Sequence, residues 1–80
     1  MEDREIAHRI GELADEEHRL ERSHHDGGLS DDDRDRLHAL EIALDQCWDL
    51  LRQRRARRAA GQNPDEAEVR PASTVEGYQQ

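Results

Sequence analysis

Four of the five histidines follow an acidic residue by three positions, the spacing of the Glu-x-x-His motif in helical bundles that bind two iron or manganese ions. The four pairs are Glu5/His8, Asp15/His18, Glu21/His24 and Asp35/His38. On a helical wheel, three of these pairs lie away from the apolar stripe, whereas a core metal site needs ligands that point inward. Such pairs also stabilise a helix without any metal. A metal-binding helical bundle is therefore only a distant alternative, and we predict no cofactor and no metal site.

The chain has one cysteine and one tryptophan, and they are adjacent at Cys47 and Trp48. A cysteine among leucines usually behaves as a small buried hydrophobe, and a tryptophan beside it is typically a packing anchor. A redox-active thiol is the less favoured alternative. The sequence contains no catalytic motif, so we predict that the protein is not an enzyme.

Five arginines lie within the seven residues Arg52–Arg58. Cations near a helix C-terminus and anions near its N-terminus complement the helix macrodipole, and the acidic run Asp31-Asp32-Asp33 precedes the arginines on the same predicted helix. Arginine also suits phosphate recognition, so binding of nucleic acid or another polyanion is an alternative function. The net charge of −8 and the lack of an aromatic stacking platform make that alternative weaker.

Residues 52, 55 and 58 lie toward one side of a helix, so they form a candidate docking face together with neighbouring large side chains. The predicted partner-binding residues are Arg52, Arg55, Arg58, Trp48 and Leu50.

Helical periodicity runs through the first sixty residues and predicts helices over residues 3–25 and 30–60. Between them, Asp26-Gly27-Gly28 predicts a turn, and Ser30 with Asp33 three residues later predicts an N-cap for the second helix. Because the loop is only about four residues long, the two helices must form an antiparallel hairpin.

The second helix carries more apolar surface than one partner helix can cover. Its main stripe consists of Leu37, Leu40, Leu44, Cys47, Trp48 and Leu51. A second patch lies beside that stripe, at Ala39, Ile42, Ala43 and Leu50. Two arrangements could cover this patch: self-association into a four-helix bundle, or docking of the C-terminal tail. The fold predicted is all-α, a two-helix hairpin that dimerisation completes as a four-helix bundle.

The sequence divides into a helical hairpin, residues 1–61, and a C-terminal tail, residues 62–80. In the tail, Asn63 followed by Pro64 predicts the start of a short helical turn, and Ser73 could cap a last turn. The sparse apolar residues of the tail are candidate anchors on the hairpin or a partner, and a mobile acidic tail is the alternative. These anchors are Ala67, Val69, Val75 and Tyr78.

Eighty residues form at most one domain, and a chain this short often needs oligomerisation to complete its core. The N-terminus lacks the basic region and apolar run of a signal peptide, and no segment approaches membrane-spanning length. We therefore predict a cytoplasmic protein without membrane association.

The segment from Leu44 to Arg58 resembles the central segment of a family of short actinobacterial proteins of unknown function. The resemblance extends over nearly the whole chain and includes Glu16-Glu17-His18, Gly61, Asn63-Pro64-Asp65-Glu66-Ala67, Val69-Arg70-Pro71 and Val75-Glu76-Gly77-Tyr78. The segment from His24 to Gly28 departs from the family pattern by being more polar and glycine-rich. The resemblance implies a stand-alone cytoplasmic protein of about this length, and it implies no activity, cofactor or catalytic residue.

Together these features predict a small, non-enzymatic helical module for protein interaction or regulation. The predicted partners are a second copy of the chain, as a homodimer, and an unidentified protein. Binding of nucleic acid through the Arg52–Arg58 cluster is the alternative.

Overall fold

The computed structural model describes residues 1–22 and 28–75, and these residues form an all-α structure. Helix α1 spans Asp3–Arg22 and helix α2 spans Asp31–Ala59. A 3-10 turn follows at Pro64–Glu66, and a short helix α3 at Ala72–Val75. No described helix is both long and apolar enough to cross a membrane.

Local capping chemistry sets the ends of α2 as predicted. The Ser30 hydroxyl accepts a hydrogen bond from the Asp33 backbone N–H at 3.1 Å, which satisfies one of the donors that the first helical turn leaves unpaired. At the other end, Gly61 has a φ of +74°, a left-handed conformation that suits glycine and stops the helix. The predicted end of the first helix near His25 and the Asp26-Gly27 turn lie outside the described residues.

The two long helices pack against each other, and cross-helix ion pairs show that they are antiparallel. Asp3 near the start of α1 contacts Arg54 near the end of α2, while Glu16 later in α1 contacts Arg36 early in α2. The Glu16–Arg36 pair is substantially exposed, so it contributes little to stability. Apolar burial dominates the packing, through Ile6, Leu13, Leu40, Leu50 and Val75.

The tail packs along α2 through contacts with Gln46, Asp49, Gln53 and Arg54. It runs back along the helix, from the 3-10 turn near Arg54 to Arg70 near Asp49 and Gln46. Helix α2 is therefore the central element, which packs against both α1 and the tail. Its buried residues include two charged residues, Asp49 and Arg54, as well as leucines.

Leu50 is only 5% exposed within its own chain, so it does not need a second copy to cover it. Three other sequence-based expectations need correction. Trp48 was expected to be a packing anchor, but its position on the flank of the α1–α2 seam leaves it 48% exposed. Val69 was a candidate anchor on the hairpin or on a partner, and at 61% exposure it does not anchor the tail on the hairpin. Helix α3 begins at Ala72 and therefore includes Ser73, which was expected to precede it as a cap.

Candidate functional site

Arg54 lies at the junction of three parts of the chain. Its guanidinium donates to the Asp3 carboxylate of α1 at 2.5 Å, to the Asp65 carboxylate at 3.0 Å and to the Pro64 carbonyl oxygen at 3.1 Å. The side chain is almost completely buried, so these acceptors replace the water that it loses. Arg54 therefore fixes the N-terminus of α1 and the 3-10 turn to the C-terminal part of α2.

Two more arginines of the cluster have acidic partners within the chain. Arg58 donates to both carboxylate oxygens of Asp3, at 3.2 and 2.7 Å. Arg57 forms a longer ion pair with Glu66, at 3.6 Å. Because Arg58 is engaged with α1, the structure does not group it with Arg52 and Arg55 as the sequence had predicted. The arginine cluster is thus divided between residues that hold the fold together and residues that face outward.

Asp49 and Arg70 form the main polar contact between α2 and the tail. The Arg70 guanidinium binds both Asp49 oxygens, with its Nε 2.9 Å from Oδ2 and its Nη2 bonded to Oδ1. Asp49 is fully buried, and Gln53 donates a further hydrogen bond to it at 2.9 Å. The Arg70 hydrogen bonds, helped by the one from Gln53, hold the pKa of the Asp49 carboxyl below its usual range against the opposing effect of burial.

Two glutamine side chains fix the tail backbone on the same face of α2. Gln46 donates to the Arg70 carbonyl oxygen at 3.1 Å, and Gln53 donates to the Glu68 carbonyl oxygen at 2.7 Å. Downstream, Val75 is fully buried and acts as the apolar anchor of this segment. Every buried side-chain nitrogen and oxygen in the described part of the chain has a hydrogen-bond partner.

Helix α2 also has a third face, which neither α1 nor the tail covers. Five residues at intervals of four and three positions lie along it, and we call them the Trp48 strip: Glu41, Asp45, Trp48, Arg52 and Arg55. All of them are exposed except Asp45, which is partly buried. The strip contains the predicted partner-binding residues Trp48, Arg52 and Arg55, whereas Leu50 lies on the other flank of the helix.

The predicted dimer patch lies on that other flank, where two of its four residues border a shallow groove. Ala43 and Leu50 line the groove with Leu13 and Cys47, and the exposed side chains of Met1 and Val69 stand at its edge. Ile42 is half-buried and Ala39 is exposed. The chain itself therefore buries Leu50, covers Ile42 and Ala43 in part, and leaves Ala39 exposed.

Cys47 and the histidines provide little support for covalent or metal chemistry. Burial raises the pKa of the Cys47 thiol, which disfavours the reactive thiolate. His8 lies 3.7 Å from Glu12 on an exposed surface of α1. Within residues 1–22 and 28–75, no three histidine, cysteine or acidic side chains come together as a group that could hold a metal ion.

We expect the protein to lose stability in acid, because three carboxyls have lowered pKa values in the folded state. Arginine hydrogen bonds lower the pKa of Asp3, Glu16 and Asp49. A carboxyl of this kind contributes stability above its unfolded pKa, near pH 4, and loses that contribution as the pH falls through the lower folded value. Urea unfolding at a series of pH values should show a nearly constant free energy of unfolding above about pH 5 and a fall below about pH 4.

Asp49→Asn is the matched control for this titration, since it removes one of the three titrating groups. Its free energy of unfolding should depend less steeply on pH below about pH 4 than that of the unmodified chain. Stability that rises on acidification would contradict the assignment of these carboxylates as stabilising.

The amino-acid sequence matches those of known proteins over most of its length. Residues 2–80 match the family described as "Protein of unknown function (DUF2630)". Uncharacterized protein Rv0898c of Mycobacterium tuberculosis (strain ATCC 25618 / H37Rv) is 53% identical over 74 residues, which are 91% of this chain and 84% of the relative. Uncharacterized protein Mb0922c of Mycobacterium bovis shows the same identity and coverage. No solved structure matches the chain. The chain therefore belongs to this family of proteins of unknown function.

Proposed function

We propose that this protein is a small non-enzymatic interaction module, and that it binds its partner through the Trp48 strip. The observation that supports this most is the half-exposed indole of Trp48 on a regular helix, with Arg52 and Arg55 exposed one and two turns further along. Tryptophan and arginine are the residue types most enriched among the side chains that dominate binding energy in protein interfaces. The rest of the fold then serves to hold α2 rigid.

The chemistry of the strip defines the kind of partner. Trp48 needs an apolar contact that removes its ring from water, and Arg52 and Arg55 need carboxylates within reach. A protein surface that combines these groups fits better than nucleic acid. Arg54, Arg57 and Arg58, which complete the positive cluster, already contact acidic side chains of the chain itself, and the net charge is −8.

We expect Trp48→Ala to abolish partner capture while leaving the fold intact. Immobilised protein would be exposed to native cell extract at low and at moderate salt, and bound proteins would be compared between variants by mass spectrometry. Val69→Ala is the matched control, because Val69 is an exposed apolar residue outside the strip. Equal capture by all three proteins would contradict the proposed binding face.

A titration with labelled DNA tests the polyanion alternative. Counterion release makes binding to nucleic acid fall steeply with salt, by several orders of magnitude between about 50 and 200 mM for a protein with six or more phosphate contacts. In one outcome, the unmodified chain binds DNA strongly and in a salt-sensitive manner, with binding lost in an Arg52→Gln/Arg55→Gln variant and kept in Trp48→Ala. That result would contradict a protein-binding function and favour polyanion binding.

A further inference from the structure

We infer that the Trp48 strip of one chain docks on the Trp48 strip of a second copy, with the two α2 helices antiparallel. The inference rests on the proposed function and names the partner of that same face. The two copies would be related by a two-fold axis that passes beside Trp48.

The spacing of the strip is that of a helix–helix seam. Its residues follow one another at intervals of four, three, four and three positions, which keeps them on one side of a helix. From Glu41 to Arg55 the seam is about 20 Å long, at about 1.5 Å of rise per residue. A second helix can therefore lie along the whole strip.

The order of charges along the strip favours one orientation of that second helix. Glu41 and Asp45 precede the tryptophan by seven and three positions, and Arg52 and Arg55 follow it by four and seven. In an antiparallel pair, Arg52 lies opposite Asp45 of the other copy, and Arg55 lies opposite Glu41. A parallel pair would place acids on acids and arginines on arginines, which is unfavourable.

Two-fold symmetry places Trp48 of each copy at the centre of the interface. The two half-exposed indoles then bury each other, and four ion pairs surround them and exclude water. The contact is isologous, so it closes after two copies and does not propagate into a filament.

The inferred dimer depends on the sign and position of the charges along the strip, and it does not require any of these side chains to be unpaired within its own chain. Asp45 and Arg52 both have interactions within their own chain, which the dimer would supplement or exchange. The strip itself is neutral, with two acids and two arginines, although each chain has a net charge of −8. A uniformly acidic partner would complement Arg52 and Arg55 but would repel Glu41 and Asp45, so a second copy fits better.

Charge exchange tests the orientation as well as the interface. One variant, Glu41→Arg/Asp45→Arg, makes all four charges of the strip positive, and a second, Arg52→Glu/Arg55→Glu, makes them all negative. We expect the unmodified chain to sediment as a dimer at tens of micromolar and each variant to dissociate at least tenfold more readily. An equimolar mixture of the two variants should form a heterodimer, because every ion pair is then restored.

Circular dichroism of each variant checks that it remains helical, and the neutral variants Glu41→Gln/Asp45→Asn and Arg52→Gln/Arg55→Gln provide milder changes if a charge reversal unfolds the chain. An unmodified chain that is monomeric at these concentrations, or a mixture that stays monomeric, would overturn the inference. If the chain is monomeric and Trp48→Ala still loses captured proteins, the interaction face stands and its partner is a different protein.

Discussion

Arg70→Met is expected to lower the free energy of unfolding by about 2–4 kcal/mol, because it leaves the buried Asp49 carboxylate without its cation. Among the described residues, the hydrogen bond from Gln53 is the one that this carboxylate would keep. Removing one member of a buried ion pair costs about 3–5 kcal/mol, and the expectation is reduced here because Arg70 is itself 40% exposed. Urea unfolding monitored by circular dichroism measures the change directly.

Val69→Ala is the matched control for this prediction, since it truncates the preceding tail residue, which is exposed. Its free energy of unfolding should stay within about 0.5 kcal/mol of the unmodified value. If Arg70→Met behaves like Val69→Ala, then the tail is not held on α2 by this ion pair.

Arg54→Met and Arg55→Met should differ sharply, although the two arginines are adjacent in the same cluster. Arg54 is buried and connects Asp3, Pro64 and Asp65, so its loss removes these links between three parts of the chain, although Asp3 keeps its hydrogen bonds from Arg58. Arg55 is exposed on the Trp48 strip. We expect Arg54→Met to lower Tm by at least as much as Arg70→Met, and Arg55→Met to leave Tm nearly unchanged at a protein concentration low enough to exclude dimers.

The same pair of variants separates the structural and binding roles of the cluster. Arg55→Met should weaken partner capture or dimerisation in a folded protein, whereas Arg54→Met should affect binding only through loss of structure. Equal losses of Tm in both variants would show that the cluster acts as a general positive charge at the helix end.

Local chemistry made much of this fold predictable. Helix starts depend on side chains within three residues of the cap, so Ser30 and Asn63 could both be identified from the sequence, and both accept the expected backbone hydrogen bonds. Periodicity likewise placed α1 and α2, because it reflects which side of each helix meets the other. The short loop then required them to be antiparallel.

Contacts between distant residues could not be predicted in the same way. Asp49 looks like an ordinary exposed acid in the sequence, and its burial depends on Arg70, which is 21 residues away. Arg54 looks like a cation at a helix end, and its burial depends on Asp3, which is 51 residues away. Arg70 lies in the tail, whose path local periodicity does not predict, and periodicity places Asp3 on a helix without showing which arginine it meets.

Helical spacing alone places Trp48, Arg52 and Arg55 on one side of α2, and all three are exposed there. Leu50 was assigned to a patch that either a second copy or the C-terminal tail could cover, and helical spacing could not decide between them; Leu50 is buried within its own chain. Trp48 was assigned to the core because its type favours burial, whereas its place on the helix leaves it at the edge.

The central claim is that the tail docks on one face of α2, so that the Trp48 strip is the face left exposed. A double-mutant cycle on Asp49 and Arg70 tests the docking of the tail most directly. The free energies of unfolding of Asp49→Leu, Arg70→Met and the double variant would be compared with that of the unmodified chain at a concentration too low for dimers. We predict a coupling energy of at least about 1 kcal/mol, with the double variant more stable than Arg70→Met alone. A coupling energy near zero would show that the two residues do not interact, and would contradict the docked tail.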